Sequence, residues 1–217
     1  MNICVFGDSI TWGACDYTKG GWVTHLRNHF QEHGNTILGS NGEFVDVAVY
    51  NLGISGDTTF GVLEHFETEA LVREASIILF AVGINDTKYH TTKDDVFIST
   101  AEFAENISEL HKRATKIANT VLFVGLSRVI DEKTTAASWG STNFYCNENI
   151  DKYDSILKNF CEKENIAYID VAGSLTPDDV EDGLHPNTQG HKKIFQQVLP
   201  QVLSVMKMSG KINDSID

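Results

Sequence analysis

The stretch NICVFGDSI, residues 2–10, joins a short apolar run to the polar triplet Gly7-Asp8-Ser9. A run as uniformly apolar as this one is typical of a parallel strand buried on both faces. Four similar runs follow, at residues 44–50 (FVDVAVY), 76–82 (SIILFAV), 120–126 (TVLFVGL) and 167–171 (AYIDV). The sequence therefore predicts five strands.

Longer segments with apolar residues at three- and four-residue spacing separate these runs, and that spacing is typical of amphipathic helices. The helical segments are predicted at residues 20–33, 94–119, 150–164 and 188–206. Alternating strands and helices predict a doubly wound α/β domain with a parallel sheet. Ligands of such domains bind at the edge where the strands end. The simplest interpretation is one domain over residues 1–210, followed by a flexible tail at 211–217.

The bulk composition excludes several kinds of partner. A formal net charge of −13 argues against nucleic acid, because phosphate binding needs lysine and arginine. No apolar run is long enough for a spanning helix, so we expect no stable membrane insertion. The N-terminus lacks the basic and apolar segments of a signal peptide, which predicts a cytoplasmic protein. In that compartment the four cysteines are expected to be free thiols rather than two disulfides.

The polar residues that follow the predicted strands supply the parts of an acyl-transfer site. Ser9 follows the first strand, Gly53 the second and Asn85 the third. Asp182 and His185 lie between the fifth strand and the last helix, three residues apart. Because all of these positions can reach one edge of the sheet, we expect them to lie together.

Each of these residues has a role in serine-dependent ester cleavage. A serine hydroxyl needs a base to become a nucleophile, and histidine oriented by a carboxylate is the usual base. Ser9, His185 and Asp182 fit those three roles. The oxyanion of the intermediate needs fixed donors, for which the candidates are the N–H groups of Ser9 and Gly53 and the amide of Asn85. This mechanism requires neither a metal nor a cofactor.

The same residues resemble the motifs of the GDSL esterases and lipases, also called SGNH hydrolases. The likeness consists of GDSITWG (residues 7–13), Gly53, GIND (residues 83–86) and DGLHP (residues 182–186). Each motif is short, but the four occur in the expected order over almost the whole chain. The resemblance implies a flavodoxin-like three-layer α/β/α sandwich around a five-stranded parallel sheet. It also implies metal-free ester hydrolysis in a shallow, adaptable site.

Residues 127–146 form a long polar stretch that should overhang the same edge of the sheet. We predict that Trp139 and Phe144 in this loop influence substrate choice, and that Arg128 is a candidate contact for an anionic substrate group. A mobile surface loop without a role in binding is the equal alternative.

Other polar residues have structural interpretations. Asp8 and Asp86 are expected to accept hydrogen bonds from loop or helix amides, and Asp57 to cap the next helix. Cys15 is interpreted as a small pocket or core residue. Three histidines share a helical face beside Arg27 and Asn28, and a solvated surface is favoured there over a metal site. These are His25, His29 and His33.

The sequence thus predicts a serine hydrolase acting on a small-molecule carboxylic ester. A carbohydrate O-deacetylase and a thioesterase or lysophospholipase would use the same residues and remain alternatives. The alternative from another class is a binding protein that has this fold without catalysis. The natural substrate and the oligomeric state stay open.

Overall fold

Five parallel strands form one sheet in the order β2-β1-β3-β4-β5. A computed structural model describes residues 1–33, 38–39, 42–135, 142–208, 210 and 212. The strands are β1 Asn2–Gly7, β2 Ala48–Gly53, β3 Ile77–Ala81, β4 Thr120–Val124 and β5 Ala167–Ile169. This is the flavodoxin-like order, whose switch point lies between β1 and β3. The predicted doubly wound fold is confirmed.

Helices cover both faces of the sheet. They are α1 Ser9–Trp12, α2 Trp22–His33, α3 Thr59–Val72, α4 Thr100–Ala114, α5 Asp131–Thr134, α6 Asn147–Glu164 and α7 Thr188–Met208. The core on one face is formed with α2 and α7, and the core on the other with α3, α4 and α6. None of the helices within the described part of the chain has the length and apolar character needed to cross a bilayer.

Strand β1 belongs to both cores. Ile3 and Val5 pack into the core with α2 and α7, whereas Cys4 and Phe6 pack into the opposite one. Side chains alternate between the two faces of a strand, and all four are fully buried. A strand covered on both sides needs apolar residues at every position, which explains the continuous run in the sequence.

Strand β2 differs from its prediction, and the difference affects the site. The apolar run at residues 44–50 predicts a strand that ends before Gly53, but the observed strand is Ala48–Gly53. Phe44 is exposed and forms an antiparallel bridge with Leu38 instead. Gly53 is therefore paired with Gly7 inside the sheet rather than placed in the following loop.

Two helices also differ from the sequence prediction. Helix α4 is shorter than residues 94–119, because Ser99 and Glu102 form a capping box that starts it at Thr100. For α3, the sequence predicts only that a helix follows Asp57 and does not indicate where that helix ends. Its apolar residues are not confined to one face, since Leu71 and Val72 at its end are exposed.

Candidate active site

Ser9 lies in a tight turn that begins where β1 ends. The Asp8 carboxylate caps α1 by accepting a hydrogen bond from the Ile10 N–H at 2.9 Å, which confirms its structural interpretation. Gly13 ends the helix with a φ of 106°, a conformation that favours glycine. Burial raises the pKa of Asp8 to about 7. Ser9 itself is 9% exposed at the edge of the sheet.

Asp182 and His185 are brought together by a turn that the Asp182 carboxylate itself stabilises. One carboxylate oxygen, Oδ1, accepts hydrogen bonds from the N–H groups of Leu184 and His185 at 2.9 and 2.8 Å. Gly183 adopts a φ of 104° between them. The other oxygen, Oδ2, lies 2.6 Å from Nδ1 of His185.

The His185 ring connects this turn to Ser9. Its Nε2 lies 2.9 Å from Oγ of Ser9, so hydrogen bonds run from Ser9 through His185 to Asp182. Burial favours a higher pKa for Asp182, but hydrogen bonds from the ring and from the N–H groups of His185 and Leu184 lower that pKa to about 2. An ionised carboxylate can only accept, so Nδ1 carries the ring proton and the Nε2 lone pair faces Ser9.

The side-chain amide of Asn85 is held in one orientation at the same edge. Its Nδ2 donates to the carbonyl of Asp57 at 2.9 Å, and its Oδ1 accepts from the hydroxyl of Tyr145 at 2.8 Å. A carbonyl accepts only, so the two contacts fix which end of the amide is nitrogen. Asn85 is 4% exposed and lines the cavity beside Ser9. The second N–H of the amide remains for a ligand in that cavity.

The structure contradicts the prediction that the Gly53 N–H is an oxyanion donor. This N–H donates to Oδ1 of Asn51 at 3.1 Å, and Gly53 does not line the cavity among the described residues. A Cβ on Gly53 would lie 2.5 Å from the Trp12 nitrogen. Glycine is therefore required here so that β2 can pack against α1, not for contact with a substrate.

Gly56 occupies the place expected for Gly53. It lines the cavity with Ser9 and Asn85, has a φ of 89°, and has open space where a side chain would be. Within the described residues, no hydrogen bond is formed by the N–H of Gly56 or by that of Ser9. The sequence feature that could have identified Gly56 is the Gly56-Asp57 pair in the turn after the apolar run, since this combination favours a positive φ at glycine.

These residues surround one open cavity of about 910 Å³. Ten of the thirteen described residues that line it have polar or charged side chains. The lining residues are Ser9, Ala14, Ser55, Gly56, Asn85, Glu132, Lys133, Asn143, Tyr145, Glu181, Asp182, Leu184 and His185. The cavity is thus suited to a polar ligand of moderate size.

The predicted substrate loop reaches the cavity, but through other residues than those expected. Asn143 and Tyr145 line it, whereas Phe144 points the other way and stacks on Tyr89 with ring centroids 5.8 Å apart. Side chains alternate along this extended segment, so Phe144 faces away from the cavity that its neighbours Asn143 and Tyr145 line. Arg128 does not line the cavity and pairs with Asp151 on the surface. Trp139 lies outside the described residues.

The loop that carries Gly56 is braced from behind by α3. Thr58, not the predicted Asp57, is the N-cap of this helix, since its hydroxyl accepts from Gly61. The Asp57 carboxylate instead lies 2.9 Å from Nε2 of His65, whose Nδ1 lies 2.8 Å from Glu69.

The carboxyl group of Asp86 holds the start of α3, as expected of an acceptor behind Asn85. It accepts hydrogen bonds from both the N–H and the hydroxyl of Thr59. Burial raises the pKa of Asp86 to about 7, despite these hydrogen bonds from Thr59.

His191 has a structural role that the sequence did not reveal. It is fully buried on α7, where Nδ1 accepts from the Trp22 N–H and Nε2 lies 2.9 Å from the Ala14 carbonyl. These contacts fix the chain just after α1, next to Ser9. The burial of His191 could not be predicted from its polar flanking residues, because it results from the packing of α7 against α2.

Comparison with known proteins gives the family. The model of the GDSL-like lipase/acylhydrolase family matches residues 5–193. The chain belongs to this family. The GDSL-like match covers strands β2 to β5, the second half of β1 and every residue of the hydrogen-bond chain from Ser9 to Asp182. It confirms the resemblance seen in the sequence and the predicted class, an ester-hydrolysing domain.

Individual relatives agree with this assignment. A multidomain esterase from Ruminococcus flavefaciens is 26% identical over 96% of this chain, which spans only 29% of that protein. A lipase/acylhydrolase from Enterococcus faecalis has the same fold, with a TM-score of 0.75 and 19% identity over 100% of this chain and 99% of that one. An acetylxylan esterase from Geobacillus stearothermophilus is also similar, with a TM-score of 0.69 and 17% identity over 93% of each chain.

Proposed function

We propose that this GDSL-like domain is a serine esterase in which Ser9 is the nucleophile. The observation that carries the proposal is the continuous hydrogen-bond chain from Ser9 Oγ through His185 to Asp182, with links of 2.9 and 2.6 Å. His185 accepts the proton of Ser9 as Oγ attacks the ester carbonyl, and Asp182 stabilises the imidazolium that forms. The alcohol leaves with that proton, and water then releases the acid by the reverse path.

Three donors would stabilise the oxyanion of this reaction. They are the N–H groups of Ser9 and Gly56 and the second amide N–H of Asn85. Donors of this kind work because they are already oriented before charge develops on the carbonyl oxygen. The contacts of Asn85 with Asp57 and Tyr145 supply that orientation.

Replacing Asn85 with alanine should lower kcat about 10²- to 10³-fold, because it removes a donor that acts on the developing oxyanion. The KM for p-nitrophenyl acetate should change much less, which steady-state kinetics will show. Tyr145→Phe is the matched control, since it removes only the hydroxyl that orients Asn85 and should cost less. An Asn85→Ala enzyme with the kcat of the wild type would exclude the amide from the oxyanion hole.

The polar lining of the cavity supports a second, narrower candidate function, a carbohydrate O-deacetylase. Glu132, Lys133, Asn143 and Glu181 offer hydrogen bonds and charge to an alcohol rich in hydroxyl groups. Long acyl chains gain most of their binding energy from apolar contact, and Ala14 and Leu184 are the two aliphatic residues among the described lining. The structurally similar Geobacillus stearothermophilus protein is an acetylxylan esterase.

Hydrolysis of p-nitrophenyl esters should therefore be fastest for acetate and fall as the acyl chain lengthens to butyrate and octanoate. The measurement is kcat/KM for each ester, followed by acetate release from acetylated xylooligosaccharides. An increase in kcat/KM with chain length would contradict the deacetylase candidate and favour a lipase or lysophospholipase. Faster turnover of acetyl-thioesters than of the matched oxygen esters would favour the thioesterase alternative.

Three further expectations from the sequence remain predictions. These are the cytoplasmic location, the lack of a nucleic-acid partner and the single-domain organisation over residues 1–210.

The non-catalytic alternative is tested by a fluorophosphonate probe, which labels an activated serine. Labelling at Ser9 would exclude a pure binding protein.

A further inference from the structure

A thiol lies beside the catalytic candidates and is not used in the mechanism above. Cys15 is a free, partly exposed cysteine in the segment that follows α1. Its Sγ, a carboxylate oxygen of Asp182 and a ring nitrogen of His185 all lie within 4.8 Å of one another. No other group of three such donors occurs within the described ranges of the chain.

These three donors match the chemistry of a thiophilic divalent cation. Zn²⁺ binds thiolate sulfur, imidazole nitrogen and carboxylate oxygen, and three protein ligands with one water complete a tetrahedron. Metal–ligand bonds of about 2.0–2.3 Å place tetrahedral donors about 3.5 Å apart. The donor atoms of the cluster lie within 4.8 Å of one another, so shifts of about an ångström in the three side chains bring them to this geometry.

The surroundings of the cluster favour a cation. The cluster itself includes the Asp182 carboxylate, Glu181 lines the adjoining cavity, and the whole chain has a net charge of −13. The preceding residue is also fixed in place, because the Ala14 carbonyl contacts His191 and its N–H donates to the Ser9 carbonyl. A pre-positioned thiol loses less conformational entropy when it binds a metal.

We propose that Cys15, Asp182 and His185 form an inhibitory site for Zn²⁺ or a similar thiophilic cation. The thiol releases its proton to solvent as the Zn–S bond forms. The metal takes the lone pair of one ring nitrogen of His185. If that nitrogen is Nε2, its lone pair is no longer available to Ser9; if it is Nδ1, the ring proton moves to Nε2, which then presents an N–H to Ser9. In either case His185 cannot accept the serine proton.

Binding and inhibition can be separated experimentally. The binding site stands on the cluster alone, whereas inhibition rests on the proposed esterase function. Co²⁺ is a suitable probe, since a thiolate bound to Co²⁺ gives a charge-transfer absorption in the near ultraviolet. We expect this band in Ser9→Ala protein, which needs no turnover, and its loss in Ser9→Ala/Cys15→Ser protein. An absent band in Ser9→Ala would overturn the site whether or not Ser9 is the nucleophile.

Inhibition is measured on the wild type with p-nitrophenyl acetate. Zn²⁺ should inhibit reversibly, with recovery of activity on addition of EDTA. Cys15→Ser and Cys15→Ala should retain hydrolysis without metal but need at least about tenfold more Zn²⁺, since even a supporting group contributes about 10- to 100-fold to metal affinity. Two substitutions are used so that a folding defect in one does not decide the result.

A matched control addresses zinc binding elsewhere on the surface. His25 and His29 lie four residues apart on α2 and, together with His33, are the histidines with metal-ligand spacing in the sequence. His29→Gln should leave the Zn²⁺ inhibition unchanged. Unchanged inhibition in both Cys15 variants, or relief of inhibition by His29→Gln, would show an adventitious ion only and would overturn the proposal.

Discussion

Ser9→Ala should lower kcat for p-nitrophenyl acetate by at least about 10⁴-fold, the scale found when the nucleophile of a serine hydrolase is removed. Oγ of Ser9 is the atom that lies 2.9 Å from the base, and alanine leaves no group there to attack the carbonyl. The residual rate would come from the oxyanion donors acting on a bound ester and water. Initial rates give the residual rate of Ser9→Ala, and titration of the wild-type active site with a fluorophosphonate gives the enzyme concentration needed for its kcat.

Ser55 is the matched comparison for this experiment. It also lines the cavity, but it is exposed and forms no hydrogen bond with a histidine in the described structure. Ser55→Ala should therefore keep most of the activity and all of the fluorophosphonate labelling. Circular dichroism and thermal unfolding of Ser9→Ala should match the wild type, because the cap of α1 is the Asp8 carboxylate. Labelling that persists in Ser9→Ala would identify another nucleophile.

The parts of the site closest to strand ends were predictable from sequence. Ser9 and Asn85 follow strands whose apolar runs are unmistakable, because both β1 and β3 are buried on both faces. Asp182 and His185 were predictable for another reason. Their contact depends on a turn of four residues, and local chain geometry decides most of it.

The oxyanion role predicted for Gly53 is wrong because that prediction depended on where β2 ends. An apolar run shows that a strand exists but leaves its register open. The observed strand ends three residues later than the run, so the first glycine lies in the sheet and the second, Gly56, reaches the cavity. Register is set by pairing with β1, which no local pattern encodes.

Phe144 shows a related limit. The loop was correctly expected to overhang the site, since it follows β4 at the same edge. Which side chains face inward depends on the bridge between Tyr89 and Phe144, a contact between distant parts of the chain. Because of this shift by one residue, Tyr145 rather than Phe144 lines the cavity and holds Asn85.

Asp182→Asn is expected to have the second largest effect, a loss of about 10³- to 10⁴-fold in kcat. Oδ1 of the asparagine can still accept from the N–H groups of Leu184 and His185, so the turn should persist. Nδ2, however, would replace the oxygen that faces Nδ1 of His185. An amide nitrogen donates, which forces the ring proton onto Nε2 and removes the base that Ser9 needs.

The pH profile makes this prediction sharper. The pKa of Asp182 is lowered to about 2, so its carboxylate stays ionised over the whole range in which esterase activity is measured. Loss of wild-type activity in mild acid must then come from protonation of a group other than Asp182. Glu181→Gln is the matched control, because the Glu181 side chain lines the same cavity without a hydrogen bond to the His185 ring, and its backbone N–H still donates to the His185 carbonyl after the substitution. Near wild-type kcat in Asp182→Asn, with Glu181→Gln equally active, would mean that His185 does not depend on Asp182 for its tautomer.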